Sequence, residues 1–183
     1  QTYAEVTTED LENYKKELGI ENAYPVIVAG STHPTEEKVL FDVFNEIIKS
    51  YPEARLVIAP RKPGRADEIS KLAKQYHWES GFRSKLLEIK GARSKYPVLL
   101  IDTIGELGRI YSVGDVVFVG GSLIKHGGHN VLEPAAHAKP ILVGPNMQNF
   151  KDSYALLSKV GACKMINNSA ELTKEVLDIV GRS

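Results

Sequence analysis

Five short, β-branched apolar runs constrain this chain more than anything else in it. They are PVIVAG (25–30), ARLVIAP (54–60), PVLLID (97–102), DVVFVG (115–120) and PILVGP (140–145). None alternates apolar with polar residues, so each is predicted to be a strand buried on both faces, as strands of parallel sheets are. Between them lie helical patterns: 36–50, with Val39, Leu40, Val43, Phe44 and Ile47 along one face, then 66–76, 104–113, 131–138 and 150–160. Strands that alternate with helices in this way need right-handed crossovers. The expected class is therefore α/β, a doubly wound parallel sheet with helices on both faces and a Rossmann-like architecture. At the ends, Leu11, Tyr14 and Leu18 mark one face of an opening helix begun near Thr8; ACKMI (162–166) reads as a short edge strand and 171–180 as a closing helix. A chain of 183 residues is long enough for one well-buried domain and short for two, so residues 1–183 are read as one unit.

Charge and cysteine usage exclude several functions. Lys plus Arg and Asp plus Glu are equal at 23 each, with no like-charge block, so no electrostatic grip on nucleic acid or an acidic membrane surface is expected. The single Cys163 cannot form an internal disulfide and is expected to be a buried, inert thiol in a reducing compartment. No apolar run approaches the length of a membrane span and the N-terminus lacks signal-peptide character, so a soluble chain is expected.

The polar residues follow the carboxyl ends of the predicted strands: GSTHP, PRKPGR, DTIGELG, GGSLIKHGGHN and GPNMQNF. Ligands of open α/β sheets bind outside those ends. In GGSLIKHGGHNVLEP (120–134), Gly127 and Gly128 are expected to leave bare N–H groups for a phosphate at the start of a helix. Asn130 is either part of that cradle or an ordinary N-cap. Glu133, one turn in, can accept both hydroxyl protons of a ribose, or simply complement the helix dipole. Arg61 can set a guanidinium fork against a phosphate, or belong to a solvated basic turn. Ser31 and Thr32 offer hydroxyls or helix caps. His33, His126, His129 and His137 lack the spacing of a metal set, so no metal is expected. Met147 and Phe150 are expected to pack within their loop.

Taken together, GSTHPTEE, APRKPGR, DTIGELGRIYSVGDVVFVGGSL, GGHNVLEPAAHAKPILVGP and the final NF resemble, in order and spacing, the C-terminal half of the 3-deoxy-D-manno-octulosonic acid (Kdo) transferases of lipopolysaccharide synthesis. The resemblance runs from about Val26 to Phe150. It implies one half of a B-type glycosyltransferase fold and transfer of Kdo from CMP-Kdo to a lipid A precursor, with no metal or other cofactor. It places CMP contacts on Pro60 and Arg61, on Ile104, Gly105 and Glu106, and on Asn130, Val131, Leu132 and Glu133; Ser31 and Gly128 complete the expected site. It further implies that the acceptor surface and the catalytic glutamate belong to an N-terminal domain with no counterpart here, so no catalytic residue is expected in this chain. The whole enzyme would work at the cytoplasmic face of the bacterial inner membrane and touch the membrane only through that other domain. The chain departs from the family where Thr35 replaces a usual Gly, Lys62 a usual His, and Asn146 and Met147 a usual His-Thr. The alternatives are a sugar-nucleotide epimerase-like domain, which would prefer UDP, and a noncatalytic nucleotide-binding module.

Overall fold

The computed structural model describes residues 7–88 and 96–182. In chain order its elements are α1 (Thr8–Leu18), β1 (Val26–Thr32), α2 (Glu36–Ser50), β2 (Arg55–Pro60), α3 (Ala66–Gln75), β3 (Ser80–Phe82), α4 (Arg83–Glu88), β4 (Val98–Leu100), α5 (Leu107–Ile110), β5 (Val116–Val119), α6 (Leu132–Ala135), β6 (Ile141–Val143), α7 (Lys151–Lys159), β7 (Cys163–Met165) and α8 (Ser169–Val180). The strands form one sheet in the order β3-β4-β2-β1-β5-β6-β7, every neighbouring pair parallel. The doubly wound, Rossmann-like sheet expected from the apolar runs is what forms.

Period-2 side-chain alternation splits each central strand between two cores. Ile27, Ala29, Leu56 and Ile58 face α2, α3 and α8, while Val26, Val28, Val57 and Ala59 face α1, the short α5 segment and α7. Burial on both faces explains why these strands read as unbroken apolar runs. α1 starts behind Thr7, whose hydroxyl accepts the Asp10 N–H, and stops at Gly19 in the left-handed conformation.

β3 and α4 were not anticipated. Ser80–Phe82 is three residues with a central glycine, and its strand character comes from pairing along β4 rather than from its own composition. Two expected helices shrink: 104–113 becomes α5 plus a 3-10 turn at Tyr111–Val113, and 131–138 becomes α6, capped by Ala136, with Ala138 beyond it at φ 54°.

Candidate functional site

The chain order reverses direction across the sheet between β1 and β5, whose strands lie side by side, and a crevice opens at the carboxyl edge beside them. It has a volume of about 510 Å³. Ser31 enters from the end of β1, Pro60 and Arg61 from the end of β2, Ile104 and Gly105 from beyond β4, and Asn130 and Glu133 from beyond β5. Those residues are thus brought together as the sequence suggested. Phe150, expected only to pack within its loop, also lines the crevice, whereas Met147 is buried.

Tyr111 forms part of the crevice wall and was not foreseen. Its ring slides under β1 at Gly30, where a Cβ would stand 2.0 Å from the phenolic oxygen, so only glycine fits. Burial first, and then the negative charge of Glu133, hold the phenol well above its ordinary pKa; a hydrogen bond with Ser31 pulls the other way. Ser31 therefore works inside the site and does not cap α2. It sits at φ 54° where the β1–β2 register shifts. β1 runs on through Thr32, and the N-cap of α2 is Thr35, at φ 77° and with no side-chain cap bond.

Four expected contacts are placed elsewhere. The Glu106 carboxylate turns inward, accepting hydrogen bonds from the Tyr14 hydroxyl, from Thr103 Oγ1 at 2.7 Å and from Arg83 Nε at 2.9 Å. Arg83 is itself buried and also reaches Glu17 at 3.3 Å, so Glu106 is the hub of a structural network. Val131 is buried in the core, and Leu132 is exposed without lining the crevice. Gly128 does not present a free N–H: it donates to the Gly121 carbonyl at 2.9 Å. Its φ of 84° and a position where a Cβ would meet Met147 Sδ at 2.5 Å explain the glycine, because the loop folds back on itself there. The Gly128 N–H is thus spent inside the loop. α6 starts only at Leu132, and Asn130 stands before the cap, accepting the Leu132 N–H at 2.9 Å.

A buried carboxylate holds the glycine-rich loop. Glu36, at the start of α2, accepts N–H groups of Gly121 (2.7 Å), Leu123 (3.1 Å), Ser122 (3.3 Å) and His33 (3.0 Å). Desolvation raises its pKa while these four donors oppose the shift. The tie joins the β1 and β5 loops and brings together histidines that sequence spacing kept apart. One ring nitrogen each from His33, His126 and His129 lies within 4.8 Å of the others, a grouping that their spacing in the chain did not suggest; His137 is elsewhere, bonded to the Gly108 carbonyl.

The chain is 32% identical over 154 residues to the 3-deoxy-D-manno-octulosonic acid transferase of Haemophilus influenzae, covering 84% of this chain and 35% of that protein. With the Aquifex aeolicus transferase of the same name it shares 31% over 166 residues, 91% of this chain and 45% of that one. It is a relative of the 3-deoxy-D-manno-octulosonic acid transferases. It spans less than half the length of these two transferases. Among solved structures, the C-terminal CMP-Kdo binding domain of WaaA from Acinetobacter baumannii superposes with a TM-score of 0.77 at 25% identity, over 95% of both chains. That extent matches a single transferase domain, one half of the B-type glycosyltransferase fold. No family model matches the chain.

Proposed function

We propose that this chain is the donor-binding domain of a Kdo transferase, the half that holds CMP-Kdo while Kdo passes to a lipid A precursor in lipopolysaccharide synthesis. The observation that carries the reading is that Arg61 and Glu133 line one crevice and neither is paired with a charged side chain among the described residues. Arg61 meets the phosphate and Glu133 takes the ribose hydroxyls. Residues 104–106 meet CMP through the main chain, since the Glu106 carboxylate is already engaged. No cofactor enters this reading.

In the whole protein a second Rossmann-like domain supplies the acceptor surface, the membrane contact at the cytoplasmic face of the inner membrane, and the general base. That base deprotonates an acceptor hydroxyl for attack on the anomeric carbon, and Arg61 stabilises the departing CMP. No helix among the described residues is long and apolar enough to cross a membrane. The chain alone is expected to transfer no sugar; Kdo-lipid A formed by the purified chain from CMP-Kdo and acceptor would refute that. Calorimetric titration with CMP, UMP and AMP tests the donor. Preference for CMP supports the reading, preference for UMP favours an epimerase-like domain, and no binding leaves a noncatalytic module.

A further inference from the structure

His129 lines the crevice with Arg61 and Asn130, and the rings of His33 and His126 pack against it. The Nε2 atoms of His33 and His129 are 2.7 Å apart, with ring planes 10° from parallel and centroids 5.0 Å apart. That centroid separation is the N···N distance plus the two ring radii, so the rings meet edge to edge and share one N–H···N hydrogen bond. His126 lies against both, its centroid 4.4 Å from His33 and 4.7 Å from His129.

Three imidazoles suggest a metal, and one distance and the sign of the surrounding charge weigh against it. Nitrogens bound to one tetrahedral zinc stand about 3.3 Å apart, and their lone pairs converge on the ion rather than on each other. The charges around the cluster are also cationic: Arg65, Arg61 and Lys62 act on His33, and Arg61 on His129; Arg65 is paired with Glu37 at 2.6 Å and Glu68 at 2.7 Å, which leaves Arg61 and Lys62 as the uncompensated cations. The nearby carboxylate, Glu36, is spent on four backbone N–H groups. Such a site repels a cation and attracts an anion.

We propose that His33, His126 and His129 form the subsite for the carboxylate of the donor sugar, the group that distinguishes a CMP-linked ulosonic acid from CMP. This rests on the donor reading above. An octulosonic acid carries its carboxylate on the anomeric carbon, next to the phosphate assigned to Arg61, and His129 stands beside Arg61 in the crevice wall. The cluster is built rather than incidental. Glu36 fixes the loops that carry it, and a Cβ on Gly121 would fall 2.7 Å from His129 Cδ2, so the loop has no side chain there.

Burial first, then the neighbouring rings and Arg61, lower the His129 pKa to about 4, and burial and the same kinds of neighbour lower that of His33. Both rings are therefore neutral in the free protein at pH 7. A carboxylate in contact favours the imidazolium and raises these pKa values in the complex. Affinity for the acid then grows as pH falls through the window between the free and bound pKa values, and is lost as pH rises through it.

The test titrates the chain with CMP and with CMP-Kdo at pH 6 and pH 8, comparing the parent with His33→Asn and His126→Ala. The parent should bind CMP-Kdo about tenfold more tightly at pH 6 than at pH 8. Each variant should flatten that dependence and lose about tenfold for CMP-Kdo at pH 6. At each pH, each variant should bind CMP as the parent does. His126 is exposed, so its variant decides the matter if His33→Asn fails to fold. Equal losses for both ligands, no loss at all, or CMP-Kdo binding that requires added Zn²⁺ and vanishes with a chelator would overturn the carboxylate subsite. A parent that binds no CMP would instead remove the donor reading beneath it.

Discussion

Glu106 and Glu133 look alike in sequence. Each follows a strand end, and each comes soon after glycine. The fold treats them in opposite ways: Glu106 is wrapped by Tyr14, Thr103 and Arg83, whereas Glu133 lines the crevice with no charged partner among the described residues. Position at the carboxyl edge of a sheet thus supplies opportunity; neighbouring donors decide whether a carboxylate serves the fold or a ligand.

The sharpest way to break this contrast is to remove one charge at a time. Glu106→Gln leaves the buried Arg83 without its main partner and should cost about 3 kcal/mol of stability by urea denaturation, with CMP affinity of the folded molecules little changed. Stability retained with CMP binding lost would reverse the assignment. Glu133→Gln should do the opposite, weakening CMP and cytidine alike by about 2 kcal/mol while the denaturation midpoint stays put. Arg61→Ala should weaken CMP by about 1.5 kcal/mol and leave cytidine nearly untouched, with added salt weakening CMP more in the parent than in the variant. Equal losses for the two ligands would place Arg61 away from the phosphate. The smallest effect concerns Thr35, held at φ 77°. Left-handed backbone costs a Thr about 1–2 kcal/mol and glycine about 0.5–1 kcal/mol of extra chain entropy, so Thr35→Gly should stabilise by about 0.5 kcal/mol. A lower melting temperature would show that the Thr35 side chain makes up for its strain.

What the sequence revealed follows from which forces are local. α2 was legible to the residue because its apolar stripe and its ends lie within one segment. The central strands were legible because burial on both faces writes itself into composition. β3 was not, since its pairing partner lies beyond its own residues. The same division holds in the site. Strand-end placement collected Arg61, Asn130 and Glu133, but the direction of the Glu106 side chain depends on Tyr14 and Arg83, far away in the chain. The histidine cluster was hidden for that reason too: His33 and His129 are 96 residues apart, and only parallel pairing of β1 with β5 makes their loops neighbours. Gly128 misled because a glycine needed for φ and a glycine needed to bare an N–H look the same in one dimension.

Cys163 lies on β7, the edge strand against β6, and burial pushes its thiol up to about 12. Thiolate is the species that alkylating reagents attack, so the folded chain presents almost none of it at neutral pH. The chain therefore carries its own clock for the opening of that edge, since alkylation at Cys163 proceeds only as fast as β7 is exposed. Any cysteine placed at the crevice rim would react far sooner, and a fluorophore could be installed there without first deleting the native thiol.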